Sequence, residues 1–146
     1  MNDDGTVLKL WIKPATGAAM TAVDTVSLVA DQGIVGNADQ GGKRQVTILT
    51  AERWADTEAE LGHPVEPAIR RANLFINGIE LADSTGRVLR VGGTRIEICG
   101  QTHPCHIMEA AVDGLRGALE PDWRGGTYGV VLDDAQISVG DAVSWE

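Results

Sequence analysis

Glycine punctuates this sequence from end to end. Eighteen of its 146 residues are glycine, against a usual share of about 7%, and they are spread along the chain instead of forming one tract. Between many of them lie short runs rich in β-branched and apolar residues. A chain cut this often reads as many short strands joined by turns, not as a flexible linker. Strands are expected in TVLKLWIK (residues 6–13), AVDTVSLVAD (22–31), QVTIL (45–49) and residues 73–76, the last turned by Asn77-Gly78. RVLRVGGTRIEICG reads as a hairpin, residues 88–91 and 94–99 about Gly92-Gly93. The tail returns to short strands around Asp133-Asp134 and Gly140-Asp141.

Two segments read as helices. In TAERWADTEAELG, Thr50 can cap the start, Glu52 and Asp56 suit the first turns, and Gly62 supplies the stop. Trp54 and Leu61, seven apart, would share its buried face. A second helix is expected from Cys105 to Leu119, with Ile107, Ala111, Leu115 and Leu119 forming an apolar stripe. Without regular alternation of strand and helix, a doubly wound parallel sheet is disfavoured. The expected fold is mainly β, a barrel core with two or three short-to-medium helices packed at its ends, in a single domain over residues 1–146. No repeat or linker divides it.

A net charge of −9 argues against nucleic acid or an anionic membrane as a partner, since either needs a broad basic face. A small anionic ligand remains compatible, because a few clustered arginines outweigh a distant acidic background. No apolar window is long enough to cross a bilayer, and MNDDGTVLKLWIK has neither a basic nor an apolar leader region. Two cysteines six positions apart make no disulfide framework. The expectation is a cytoplasmic protein with reduced thiols.

CGQTHPCHIMEAAVDGLRG places Cys105 between His103 and His106 at the start of the second helix. Thr102 is a candidate cap, and Pro104 suits a first turn. A thiol there meets unsatisfied N–H groups and the positive end of the helix, which favour thiolate, and the imidazoles can add hydrogen bonds or charge. Several roles stand open: core residue, redox partner of Cys99, zinc ligand, nucleophile, or ligand of a softer metal. Cys99, ending an apolar strand, reads as core. Zinc fits poorly, because adjacent Cys105 and His106 cannot readily reach one tetrahedral ion. A cysteine protease would need a distant base, and His63 in its Gly-His-Pro turn reads as solvent-exposed.

Arginine is the second signal. Lys43-Arg44, Arg70-Arg71 and Arg124 lie beside glycine or at expected strand edges of an acidic chain. Singly, each reads as a solvated charge. Together around Cys105 they would form an anion pocket with the thiolate at its base.

In order, GIVGNADQGGKRQVTIL, RRANLFINGIEL, GGTRIEICGQTHPCHIME and WRGGTYGVVLDDAQISVGDAV resemble the MOSC domain, the molybdenum cofactor sulfurase C-terminal domain, over residues 6–143. Without room for an aminotransferase-like domain, the chain resembles the stand-alone bacterial members. The resemblance implies a β-barrel and a site for a molybdopterin-type molybdenum cofactor. Cys105 would be the molybdenum ligand and catalytic centre, with Arg44, Arg70, Arg71, Asn73, Thr102, His103 and Arg124 binding the cofactor. It implies either reduction of N-hydroxylated small molecules, with electrons from a redox protein, or a carrier role for sulfur or cofactor, with a sulfur-donor protein as partner. Pyridoxal phosphate binding attaches to it only as a family-level association. Many relatives carry Gly-Asp-x-His in the first glycine loop, where this chain has Gly36-Asn37-Ala38-Asp39. The exchange leaves the Cys105 reading intact but removes the imidazole on which a loop-histidine activity would rest.

Overall fold

A computed structural model describes residues 4–146. Seven strands close into a barrel: β1 (Gly5–Ile12), β5 (Val46–Thr50), β6 (Leu74–Ile76), β7 (Val88–Val91), β8 (Thr94–Gln101), β9 (Thr127–Val131) and β11 (Ala142–Trp145). Closure comes from β11, which pairs with β7 on one side and β1 on the other. β2 (Thr21–Val23) extends β1 as a flap. A smaller sheet of β3 (Thr25–Val29), β4 (Gly33–Ile34) and β10 (Ala135–Ser138) directs Val26, Leu28, Ile34 and Ile137 into the barrel's own core. The barrel fold expected from the glycine-cut strands is the one observed. The run at residues 22–31 is not one strand, however. The chain changes sheets at Asp24, whose carbonyl accepts from the Val139 N–H.

All barrel pairings are antiparallel except β5 with β6. Parallel neighbours need a crossover, and α1 (Ala51–Leu61) supplies it. The Thr50 hydroxyl caps this helix by accepting from the Arg53 N–H, and Gly62, at φ 83°, ends it. Trp54 is buried on its inner face and donates from its indole N–H to the Val65 carbonyl at 2.8 Å. Leu61, expected beside it, is only half-buried.

A bulge in β1 between Val7 and Lys9 divides the interior in two. Slipping one residue there reverses the faces that alternate along a strand. Val7 and Leu10 thereby both enter the barrel, while Leu8 and Trp11 turn to a second apolar cluster with Trp54, Phe75, Met108 and Leu119. That cluster seats the helices.

The expected helix over residues 105–119 is two helices, α2 (His106–Ala111) and α3 (Leu115–Leu119). Val112 is extended and Gly114 is left-handed at φ 84°. The Glu109 carboxylate stabilises the break by accepting from the backbone N–H groups of Gly114 and Arg116, at 2.8 and 3.3 Å. Leu115 and Leu119 are buried as expected, whereas Ile107 and Ala111 are exposed. Asn77-Gly78 turns the chain after β6, but no partner strand follows, and the Asn77 side chain instead accepts from the Thr6 N–H. The hairpin about Gly92-Gly93 forms as expected.

Gly126, just before β9, has φ 93°, and a Cβ there would overlap the Ile48 carbonyl oxygen of β5. Gly126→Ala combines left-handed strain with a backbone clash, so it should cost at least about 2 kcal/mol. Urea denaturation by circular dichroism checks this.

Candidate functional site

Arg70 is the buried cation around which the site is built. It ends a short 3-10 turn, Pro67–Arg70, just before β6. Its Nε donates to the Gly125 carbonyl and its Nη2 to the Thr102 carbonyl, each at 3.0 Å. The Thr102 N–H in turn donates to the Gly126 carbonyl at 2.8 Å. These bonds lock the end of β8 and the Arg-Gly-Gly segment against the 3-10 turn. Burial, and then the neighbouring Arg44 charge, lower the Arg70 pKa to about 10, with Cys105 acting in the opposite direction. Arg70 remains a cation at neutral pH.

The chain emerging from this clasp carries Cys105 to the residue that caps α2, extended at φ −131° and ψ −176°. The sulfur side chain is half-buried and makes no cap hydrogen bond. Helical residues begin only at His106, so Pro104 precedes the helix instead of forming its first turn, and Thr102 is not the cap. Six residues of α2 also give a far weaker dipole than a long helix would. Positive charge near the thiol comes from cationic side chains more than from the helix.

Cys105, Arg44, Arg70 and Arg71 line one cavity of about 350 Å3. Thus three of the arginines singled out in the sequence converge on the cysteine. Lys13 and Asp39 stand at the same wall, paired at 2.8 Å, and Thr47, Ile107 and Met108 complete it. Behind Arg70 lies a small cleft of about 10 Å3 bordered by Thr102 and Gly125. The Thr102 hydroxyl is buried there with no hydrogen-bond partner among the described residues.

Other expected site residues lie elsewhere. Asn73 is buried away from the cavity wall. Its Oδ1 accepts from the backbone N–H and hydroxyl of Thr47, and its Nδ2 donates to the Trp11 carbonyl and the Asn37 Oδ1. With both ends of its amide engaged, it positions β5 and the glycine loop. His103 is exposed and lines neither cavity. Arg124 donates to Glu60 and to the Ala118 carbonyl, tying the Arg-Gly-Gly segment to the helices. Cys99 sits at a bulge in β8 and is half-exposed, not core. Both cysteines are free. Among the described residues, no three of His, Cys, Asp and Glu converge to hold a metal ion, and no helix is long and apolar enough to cross a membrane.

The altered glycine loop has a clear structural account. Asn37 Oδ1 accepts from both the Lys13 N–H and Asn73 Nδ2, at 2.8 and 3.2 Å. A carboxylate oxygen could accept the same pair, so the amide preserves this brace. Asp39 puts a carboxylate on the cavity rim, held by Lys13. Sequence reasoning missed Lys13 and Thr47. Lys13 reads as the polar end of a strand, and its ties to Asn37, Ala38 and Asp39 of the glycine loop bring it here. It also missed Gln45, fully buried, which holds the loop before β5 by donating to the Gly42 carbonyl and accepting from the Val131 N–H.

The MOSC domain family profile matches residues 31–144, and the chain belongs to that family. The family is associated with molybdenum cofactor binding. Solved structures share the fold. The YUAD protein from Bacillus subtilis aligns with TM-score 0.80 at 17% identity, covering 96% of this chain and 94% of that one. YiiM from Geobacillus stearothermophilus aligns at 0.78 and 19%, covering 97% and 75%. YiiM from Escherichia coli aligns at 0.70 and 18%, covering 97% and 68%. No curated protein matches this chain in sequence.

Two consequences can be measured. Inorganic phosphate should raise the melting temperature by binding the folded arginine cluster. Arg44→Gln should shrink that rise while leaving the phosphate-free midpoint no lower than wild type, because it removes a like charge beside buried Arg70. At Cys99, burial and then the Glu97 charge push the thiol pKa up. Its alkylation by iodoacetamide near pH 8, followed by peptide mass mapping, should be slower in the folded protein than in urea.

Proposed function

We propose that this protein binds a molybdopterin-type molybdenum cofactor at the Cys105 cavity and reduces N–O bonds in small N-hydroxylated substrates. The observation that carries the reading is the convergence of one half-buried thiol and three arginines on a single cavity. The residues fit the group. A sulfur ligand suits a soft metal, forked guanidinium donors suit a phosphate, and the orphaned Thr102 hydroxyl offers a further polar contact behind Arg70. Pyridoxal phosphate is favoured by no comparable feature, since the cavity's lysine, Lys13, is paired with Asp39.

Cys105 would hold the metal through its sulfur. Arg44 and Arg71, on the cavity wall, would bind the phosphate, while Arg70 is fixed by its two carbonyls and adds charge without moving. Asn73, Asn37 and Gln45 keep the loop and strand that carry Arg44 in register. A bound cofactor would supply two-electron redox chemistry at a metal held by the Cys105 sulfur. Overall, an N-hydroxylated substrate takes up two electrons and two protons and leaves as the reduced amine and water. The electrons come from a separate redox protein.

A second reading is a sulfur carrier, favoured by the partial exposure of Cys105 on the cavity wall. There a donor protein's persulfide would transfer its terminal sulfur to the Cys105 thiolate and leave as a thiolate.

Protein isolated from a host that makes the cofactor should contain molybdenum, and Cys105→Ser should lose most of it, by elemental analysis. Equal metal in both, or none in either, overturns the cofactor reading. An added sulfur atom on Cys105 by intact mass, without reductase turnover, would select the carrier.

A further inference from the structure

Among the described residues Arg70 is the one buried charged side chain, and none of their carboxylates pairs with it. Arg53, Arg90, Arg95 and Arg124, all more exposed, each have a carboxylate partner. The two carbonyls on Arg70 accept its hydrogen bonds but bring no net negative charge. Arg44 adds a like charge close by. A buried ion left without a counter-charge is strongly destabilising. The fold therefore leaves a place for an anion against Arg70.

The small cleft behind Arg70 has the donors for one. Arg44, Arg70 and Arg71 border it, and no carboxylate does. The Thr102 hydroxyl on its wall is fully buried and has no partner among the described residues. Arg70 spends Nε and Nη2 on the two carbonyls, which leaves Nη1 without an acceptor among those residues. An anion accepts from a hydroxyl and a guanidinium together, so one ion answers both the unspent donors and the missing charge. A water molecule could answer only the donors.

Size decides the class of anion. The cleft offers about 10 Å3, room for one particle the size of a water. Phosphate and carboxylates are too large for it, and their place is the Cys105 cavity of about 350 Å3. Buried Ile48 and Ala72 form the apolar side of the cleft, and low polarity there strengthens the pull between ion and cations.

We propose that this cleft is a site for one monatomic anion, chloride being the common one, held by the Thr102 hydroxyl and the Arg70 guanidinium. The ion serves as counter-charge to the buried arginine. It also weakens the pull of the same arginines on a second anion in the Cys105 cavity, and by linkage an anion there weakens chloride binding equally. The site stands apart from the cofactor reading, since its space and its unspent donors belong to the protein alone.

The test follows the chloride NMR line width with the full chain, at constant ionic strength balanced by methanesulfonate. Wild-type protein should broaden the signal, bromide should reverse the broadening by displacement, and Thr102→Val should lose most of it. Exchanging methanesulfonate for chloride should raise the wild-type melting temperature by about 3 °C. Thr102→Val should lose that rise, yet melt no lower than wild type without halide, because its hydroxyl has no partner to lose. Added inorganic phosphate should reduce chloride affinity about fivefold and then have no further effect. In wild-type crystals soaked in bromide, anomalous scattering should place the ion against Thr102 Oγ1 and Arg70. No broadening by wild type, equal broadening by Thr102→Val, or bromide found only elsewhere overturns the proposal. So does a chloride affinity that keeps falling in proportion to phosphate, because the two anions then share the Cys105 cavity.

Discussion

A single buried guanidinium holds the site together. Arg70 gives up most of its hydration and recovers hydrogen bonds to the carbonyls of Gly125 and Thr102. Hydrogen bonds from a charged group are worth about 1.5–3 kcal/mol each, which offsets part of that desolvation. The Gly125 approach is close: a Cβ at that position would press on the Thr102 carbonyl oxygen and on Arg70 itself. Glycine at 125 is thus a packing requirement of the clasp. Because the clasp joins the 3-10 turn, the end of β8 and the segment before β9, it decides where Cys105 stands relative to the arginines.

The barrel supplies the rigid frame for that clasp. Bulges in β1 and β8 let one strand serve two interiors or change direction at a chosen residue. The β1 bulge turns Trp11 outward to the helical cluster and keeps Leu10 in the barrel. Trp11 and Phe75 then pack with tilted rings, centroids 5.9 Å apart, beneath Met108 of α2. The same packing that seats α2 therefore orients the apolar side of the cavity. Its cationic side comes from the loop before β5, which buried Gln45 and the Asn37–Asn73 pair hold in place.

Much of the architecture was legible because its signals are local. Thr50 and Gly62 bracket α1 through bonds within a turn of themselves, and Gly92-Gly93 makes its hairpin with adjacent residues. The break in the second helix was less legible, since an unbroken apolar spacing outweighed Asp113-Gly114. Glu109 reverses that balance by capping α3 from α2. Ile107 and Ala111 kept the helical spacing without the burial, because the face they occupy opens on a groove. Asn73 and Arg124 look in sequence like ligand-binding residues, yet the Asn73 amide is engaged by the protein at both ends and Arg124 Nη1 is spent on Glu60 and the Ala118 carbonyl.

By itself the sequence determined the strand-and-turn rhythm, the ends of α1, the acidic character and the presence of a cysteine between two histidines, with arginines in several separate segments. Those properties depend on conformational freedom and composition, which neighbours in sequence already settle. Only the tertiary structure decided which cations reach the sulfur. Arg70 bonds to residues 32 and 55 positions away, and Arg44 reaches the cavity through a loop braced by residues from three other segments. Such partners meet only when the barrel closes, because burying a charge requires acceptors that no nearby stretch of chain provides.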